Sequence, residues 1–499
     1  MSLLVDKLKK DFGNIWNQSN NFAFQTGFTV IDIMSSSMER GASSGGDYNF
    51  MNGGLFCKPY TFTGKSGTGK SSLAIQLQTA AVDYCTRRFG PYVDFVMFDV
   101  EKHTTLERIR ELSKWNDVEI YNRLHFVQQK VSIEEIFNEI QRICSKKEKM
   151  KDESYIEFPI LNLDGSGFHH YYPTFVLIDS IAALREYKEM EYDKAGELKE
   201  NKSIVENIDA MRAAKKNTAF IMQIKNLCMD YNIHIGMINH IETEASMDMF
   251  SKPSRNLLHL KAGERLKGGN ELIFQSAFMI NLTYGKRIDD NDPIYGPYVR
   301  GAINKVTYLK NKNGKEGLLF PMVFDSDKGY MPELSDFETL LEFKYGISGT
   351  SVYTLDILPE YKLTRKNVLE ICYDNPIVAR AIQFTSRALL NSLLVYNNEP
   401  LNIAQLVEGL SLEDRMNLIL HYSIDYPGYI NMGLVVTPEL IEQTLKSNMR
   451  FTEALGNALN DLVRLKIDLH KMGYEMQDHQ YSLDDIVKNP NAEYLPFFD

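Results

Sequence analysis

A mostly parallel α/β sheet with an antiparallel extension is the fold class this sequence predicts, and three observations carry it. From Tyr60 to Asp325, strand-length apolar runs alternate with amphipathic helical patterns, the signature of parallel strands joined by crossover helices. The first of these runs leads into a glycine-rich loop and then a helical run, YTFTGKSGTGKSSLAIQ at 60–76. From Ala277 to Asp325 the runs are separated by turns alone, as in antiparallel pairs. The predicted organisation is an N-terminal helix over 1–24, an α/β core over 25–340 interrupted by an insertion at 145–172, and an α-helical domain over 341–499.

The elements follow in order. Leu3, Leu4, Leu8, Phe12, Ile15 and Trp16 recur at helical spacing, so the first 24 residues read as one amphipathic helix and a polar link. That apolar stripe suits docking on a neighbouring copy or on the chain's own core. Residues 25–58 combine a short helical stretch with a Ser/Gly-rich turn. The core strands are YTFTG, DFVMFDVE, LHFVQQ, TFVLIDS, IHIGMINH, AFMINLTY, KVTYLKN and LLFPMVFD. The insertion at 145–172 is polar and then glycine-rich. A long polar and basic connection over 241–269 separates two strands; such a length inside a compact domain usually serves a function or is disordered. Beyond 340 the pattern is mostly helical, ending in a long run at 450–474 and an acidic tail.

Composition narrows the function classes. The chain has 499 residues, enough for two to four domains, and no apolar run reaches about eighteen residues, which argues against a membrane span. The N-terminus lacks the apolar core and cleavage site of a secretory signal. The 5 cysteines form no C-x-x-C pair, which argues against zinc and disulfide frameworks and predicts a cytoplasmic location. A net charge of -11 disfavours nucleic-acid binding through bulk charge and leaves only a local basic groove for that role.

Gly64, Gly69, Lys70 and Ser71 fit G-x-x-x-x-G-K-S/T. In this pattern, glycines let backbone N–H groups turn around a phosphate at a helix N-terminus. Lys70 neutralises β- and γ-phosphates and the Ser71 hydroxyl ligates Mg²⁺. The predicted nucleotide-binding segment runs from Gly64 through Lys65, Ser66, Gly67, Thr68, Gly69, Lys70 and Ser71 to Ser72. In TFVLIDS four apolar residues lead to Asp179, placed to hold Mg²⁺ through water or to cap a helix. Past another strand, DFVMFDVEKH offers Glu101 as general base with Asp99 in support, two residues apart on one side of an extended segment.

These residues resemble those of the RecA-type recombinases, most closely the phage UvsX-like branch. The match is carried by FQTGFTVID at 24–32, FDVE at 98–101, VLIDSIAAL at 176–184, MINH at 237–240, KGGNELIF at 267–274 and YLKNK at 308–312. It covers roughly residues 24–345 in order. It implies a RecA-like P-loop ATPase core and a DNA-dependent ATPase with ATP and Mg²⁺ as its ligands. It further implies a helical homo-oligomeric filament on single-stranded DNA, serving recombination, strand exchange with homologous duplex DNA, and repair. Single-strand-binding and mediator proteins would be further partners, and the setting a bacteriophage protein in host cytoplasm. His240 would sense the γ-phosphate. Lys310 and Lys312, two apart on a strand and so facing one way, would reach the ATP of the neighbouring subunit; spacing alone leaves open whether they act within a subunit or across.

The resemblance also directs attention to the 241–269 connection. Lys252, Arg255, Lys261, Arg265 and Lys267, with Met247, Met249 and Phe250, suit phosphate contacts and wedging between bases, and Gly268 and Gly269 close the segment. Residues 186–203 stand where a first DNA loop belongs but hold more acids than bases. Where the family stacks the adenine, this chain offers Arg108 and Phe324. Two further classes share the core: a ring-forming helicase motor, and a DNA-coating scaffold in which ATP only locks assembly. The lysine pair in place of an arginine finger speaks against the first, and Glu101 against the second.

Overall fold

The computed structural model describes residues 23–24, 26–40, 49–89, 93–128, 131–161, 167–184, 206–243, 255, 257–267, 270–289, 292, 295, 299–390, 392–393, 402–412, 415, 419 and 432–434. Residues 1–22 of the predicted N-terminal helix, the 186–203 loop, the centre of the 241–269 connection with Lys252, the pair Gly268 and Gly269, and the chain beyond 434 lie outside them, and Ala23–Phe24 form a short strand.

A short helix, Thr29–Met34 (α1), precedes the first long strand, Tyr60–Gly64 (β1), all five of whose residues are buried. The glycine loop follows, then helix Lys70–Phe89 (α2), strand Asp94–Asp99 (β2), helix Leu106–Ser113 (α3) and strand Leu124–Val127 (β3). Helix Ile133–Lys149 (α4) leads into a hairpin of Tyr155–Leu161 (β4) and Gly167–Tyr171 (β5), then strand Thr174–Asp179 (β6). Helix Glu206–Tyr231 (α5) returns the chain to strand Ile233–Ile238 (β7). A small ladder, Ile241–Thr243 (β8) against Glu264–Leu266 (β9), precedes helix Asn270–Gln275 (α6). Strands Phe278–Ile288 (β10), Gly301–Asn311 (β11), Leu319–Asp325 (β12) and Gly329–Tyr330 (β13) complete the sheet, and helix Pro332–Phe343 (α7) closes it.

The nine strands run in the order β13-β12-β11-β10-β1-β7-β6-β2-β3. Those from β10 through β1 to β3 are mutually parallel, and β10 to β13 are antiparallel. Period-two alternation assigns the core to two faces. Phe95, Met97, Phe175 and Leu177 pack with Leu73, Leu77 and Ala81 of α2. Val96, Phe98, Val176 and Ile178 pack with Ile136 and Ile140 of α4 and Ile224 of α5. Both faces are covered, which is why these strands read as continuous apolar runs.

Two stretches gain detail here. Within the 145–172 stretch the described residues form the last turn of α4, a short helix and the two strands of the β4–β5 hairpin. The region from 341 is not wholly helical: Ile347–Gly349 (β14), Tyr353–Leu355 (β15) and Leu358–Leu363 (β16) form an antiparallel sheet before helices Val368–Asp374 (α8) and Pro376–Leu390 (α9). Strands this short carry little alternation to read. Residues 341–390 also share the core of the sheet: Val378, Ile382 and Leu389 join the cluster containing Leu334, Phe337 and Leu340 of α7. Buried Asp336 knots three helices together, accepting hydrogen bonds from Thr29 (2.7 Å) on α1 and Ser386 (2.9 Å) on α9. Among the described residues no helix is long and apolar enough to cross a membrane.

Lys147 stabilises the α4 end of the sheet. Its buried Nζ donates to the Tyr172 carbonyl at 2.5 Å and the Tyr231 carbonyl at 2.7 Å. Burial pushes its ammonium down to about 7, against the opposing pull of Cys144 and Asp94. The unfolded chain keeps that proton up to a pH of about 10.4, so the burial penalty is complete below about 7 and fades as pH rises. At pH 9, Lys147→Met should cost about 2–3 kcal/mol in urea unfolding, because two buried carbonyls lose their donor. At pH 7 the cost should be smaller, since the wild-type chain then carries the buried charge.

Candidate functional site

Five side chains converge at the carboxyl ends of the parallel strands, the edge where open α/β sheets bind ligands. The glycine loop leaves β1 through Gly64 at φ +149° and passes Gly67 at φ +78°. A Cβ at Gly64 would stand 2.6 Å from the Leu282 carbonyl oxygen, and one at Gly67 would stand 2.3 Å from the Tyr284 hydroxyl. Positive φ and close approach together require glycine at both positions. The loop is held from behind by Tyr330, whose hydroxyl donates to the Thr68 carbonyl at 2.7 Å, and by the Asn304 amide.

Lys70 opens α2 and is 5% exposed. Its Nζ donates to the Lys65 carbonyl at 2.8 Å, inside the loop's own curve. Burial lowers its ammonium, while the Asp179 and Glu101 carboxylates oppose that shift. Ser71, the next residue, hydrogen-bonds Asp179 at the end of β6. Asp179 is 7% exposed, and burial pushes its carboxyl up to about 6, with the Ser71 bond opposing.

Glu101 lies just past β2. Its Oε1 accepts from the Ser180 hydroxyl at 2.5 Å and stands 3.2 Å from Nε2 of His240, which follows β7. Burial raises the Glu101 carboxyl, but the Ser180 and His240 bonds outweigh it and hold the group below its ordinary value. Glu101 is therefore ionised at neutral pH. Asp99 does not share its side, contrary to the extended-segment expectation. Asp99 turns to the β3 flank, accepting from the Thr104 N–H (2.9 Å) and the Gln128 amide (2.8 Å). β2 ends at Asp99, so strand alternation stops before Glu101; Asp99 pins the turn that carries it.

Arg108 and Phe324 both arrive at the start of α2. Arg108 donates to the Ser72 hydroxyl at 3.2 Å and the Asp327 carbonyl at 3.0 Å. The Phe324 ring lies 4.9 Å from that of Tyr330, and a Cβ at Gly69 would stand 3.2 Å from it.

Lys310 and Lys312 are not brought to this edge. Lys310 stands opposite Met279, itself opposite Thr61 near the start of β1. The Lys312 N–H donates to the Ala277 carbonyl, and the Ala277 N–H to Pro59. The pair lies at the far end of β1, roughly 15 Å from the glycine loop at the rise of a strand. Lys310 Nζ donates to the Ile273 carbonyl and to the Phe274 carbonyl (2.9 Å) at the end of α6.

His240 leads directly into the β8–β9 ladder. The Lys267 N–H donates to the His240 carbonyl at 3.1 Å and the Asn239 amide to the Lys267 carbonyl at 2.7 Å. Arg255, Lys261, Arg265 and Lys267 are all exposed. Lys267 pairs with Glu242 at 3.2 Å, and Arg255 donates to the Leu260 carbonyl.

Sequence reasoning missed Ser180, Gln128, Tyr330, Asn304 and Glu264, whose carboxylate pairs with Lys65 of the glycine loop at 2.9 Å. Only Ser180 carried a local signal, adjacency to Asp179; the rest arrive from distant strands. A triphosphate fits what is present: a cradle open only to glycine, a buried ammonium on a carbonyl that a phosphate would replace, and an ionised carboxylate nearby. Among the described residues no three His, Cys, Asp or Glu side chains form a metal cluster. The Ser71 and Asp179 oxygens would hold Mg²⁺ together with phosphate oxygens and water. No protein-family model matches the sequence, and no curated protein matches it.

The raised Asp179 sets a pH test. Its folded carboxyl titrates near 6 and its unfolded one near 3.8, so the native state binds more protons between them and loses stability as pH rises through that window. Asp179→Asn should stabilise the nucleotide-free protein at pH 7.5 by about 2–3 kcal/mol. Thermal melts should show that gain shrinking from pH 6 to 4.

Proposed function

We propose that this protein is a DNA-dependent ATPase with a RecA-like P-loop core, which assembles head to tail into a helical filament on single-stranded DNA for recombination and repair. The observation that carries the reading is the polarity of the site. The loop edge gathers Lys70, Ser71, Asp179, Glu101 and His240, while Lys310 and Lys312 sit at the opposite end of β1, beyond reach of their own loop. A second copy stacked head to tail would bring its lysine pair to the first copy's phosphates, and such heterologous contacts propagate as helical filaments.

The residues divide the chemistry. The glycine-loop N–H groups and Lys70 hold the β- and γ-phosphates. Ser71 and Asp179 would hold Mg²⁺, which would neutralise charge on the phosphate oxygens. Glu101 takes a proton from water as its oxygen attacks the γ-phosphorus and the bond to the β-phosphate oxygen breaks. The partner's lysine pair offsets charge on the transferring group. His240, bonded to Glu101 and continuous with β8, links hydrolysis to the exposed cations Arg265 and Lys267. Arg108 and Phe324 flank the space for the base.

Three measurements test this. ATP turnover should rise when single-stranded DNA is added; an unchanged rate would remove the DNA dependence. Glu101→Gln should bind nucleotide normally and lose turnover by about 10²–10⁴-fold. Lys70→Ala and the double variant Lys310→Ala/Lys312→Ala should each be inactive alone. Mixed in equal amounts they should regain activity, because roughly a quarter of seams then join an intact loop to an intact lysine pair.

A further inference from the structure

We infer that Lys65 and Glu264 form a positioning pair that links occupancy of the glycine loop to the β8–β9 ladder. The inference rests on the functional reading above, with a triphosphate in the loop and a polynucleotide on the ladder.

Lys65 is bonded at both ends. Its carbonyl accepts Lys70 Nζ at 2.8 Å and the Thr68 hydroxyl at 2.9 Å. Its own Nζ lies 2.9 Å from Glu264 Oε1. The Glu264 side chain is 10% exposed against 54% for Lys65, so the carboxylate is the fixed partner and the lysine the movable one. Its other oxygen accepts the Lys261 N–H at 3.2 Å, and its backbone stands in register with Thr243 across the ladder. Arg265 follows it directly. One side chain therefore connects the phosphate-binding turn to the strand that presents Arg265 and Lys267.

The consequence of loading follows from donor geometry. For Lys70 to reach phosphate, its Nζ must leave the Lys65 carbonyl, which frees that peptide to turn. An ammonium has three donors, and Glu264 engages one. Lys65, on the lip of the loop, can hold Glu264 and a phosphate oxygen together. The bridge draws β9 toward the loaded loop and sets Arg265 and Lys267 for the polynucleotide. Nucleotide and polynucleotide then tighten each other's binding by the same factor.

The test measures that factor. With the full chain, binding of a fluorescent oligo-dT is followed by anisotropy with and without a non-hydrolysable ATP analogue. The wild-type protein should bind the oligonucleotide about tenfold more tightly with the analogue, within the usual range of coupling between sites. Glu264→Gln should bind it as well or better without the analogue, since an acid beside two cations is gone, yet gain less than about twofold from the analogue. A purely electrostatic role would tighten binding equally in both states and leave the ratio unchanged; that result overturns the inference. Should Glu264→Gln not fold by its thermal melt, Lys65→Gln removes the same bridge from the other side and must lose the same ratio. Wild-type protein that binds both ligands without coupling also overturns the inference. Failure to bind either ligand overturns the functional reading beneath it.

Discussion

The carboxyl edge of the sheet depends on one electrostatic arrangement: a nearly buried ammonium, Lys70, set beside the Asp179 and Glu101 carboxylates. Each charge alone would be expensive to remove from water. Placed together at the sheet's carboxyl edge they offset part of that cost, and burial still outweighs the attraction at Lys70 and Asp179. The in-register pairing of β2 and β6, which sets Asp99 beside Asp179, decides where those acids stand. The Lys65 carbonyl supplies Lys70 with a neutral acceptor in the position a phosphate oxygen would take.

Hydrogen bonds from two neighbouring strand ends explain why Glu101 is ionised although it lies beside other acids. Ser180 and His240 hydrogen-bond it from β6 and β7, the strands on one side of β2. Asp99 spends its oxygens on the turn at 103–104 and on Gln128, on the other side. Two carboxylates that look equivalent in DFVMFDVE therefore have different tasks, one fixing backbone and one facing the cleft. His240 bonds Glu101 through its ring and the ladder through its carbonyl. With the Lys65–Glu264 pair, two separate contacts join the glycine loop region to β8 and β9.

The sheet's antiparallel half gives the molecule its polarity. β10 runs parallel to β1 and β11 returns against it, so the end of β11 lies at the start of β1. Lys310 and Lys312 are carried to the pole opposite the glycine loop by strand direction alone.

Much of this was legible in the sequence because it is local. Glycines and a lysine between strand and helix, the acids that end β2 and β6, and alternating apolar faces each lie within a few residues of one another. The parallel core, its antiparallel extension and the positions of Lys70, Ser71, Asp179 and Glu101 follow from such patterns. Strand order and register were decided only in three dimensions. They bring Glu264 to Lys65, Tyr330 and Asn304 to Thr68, and Ser386 to Asp336, pairs separated by 50 to more than 250 residues that no local period encodes. The division between Asp99 and Glu101 also needed the fold, because the end of a strand is set by its neighbours' hydrogen bonds and not by its own residues.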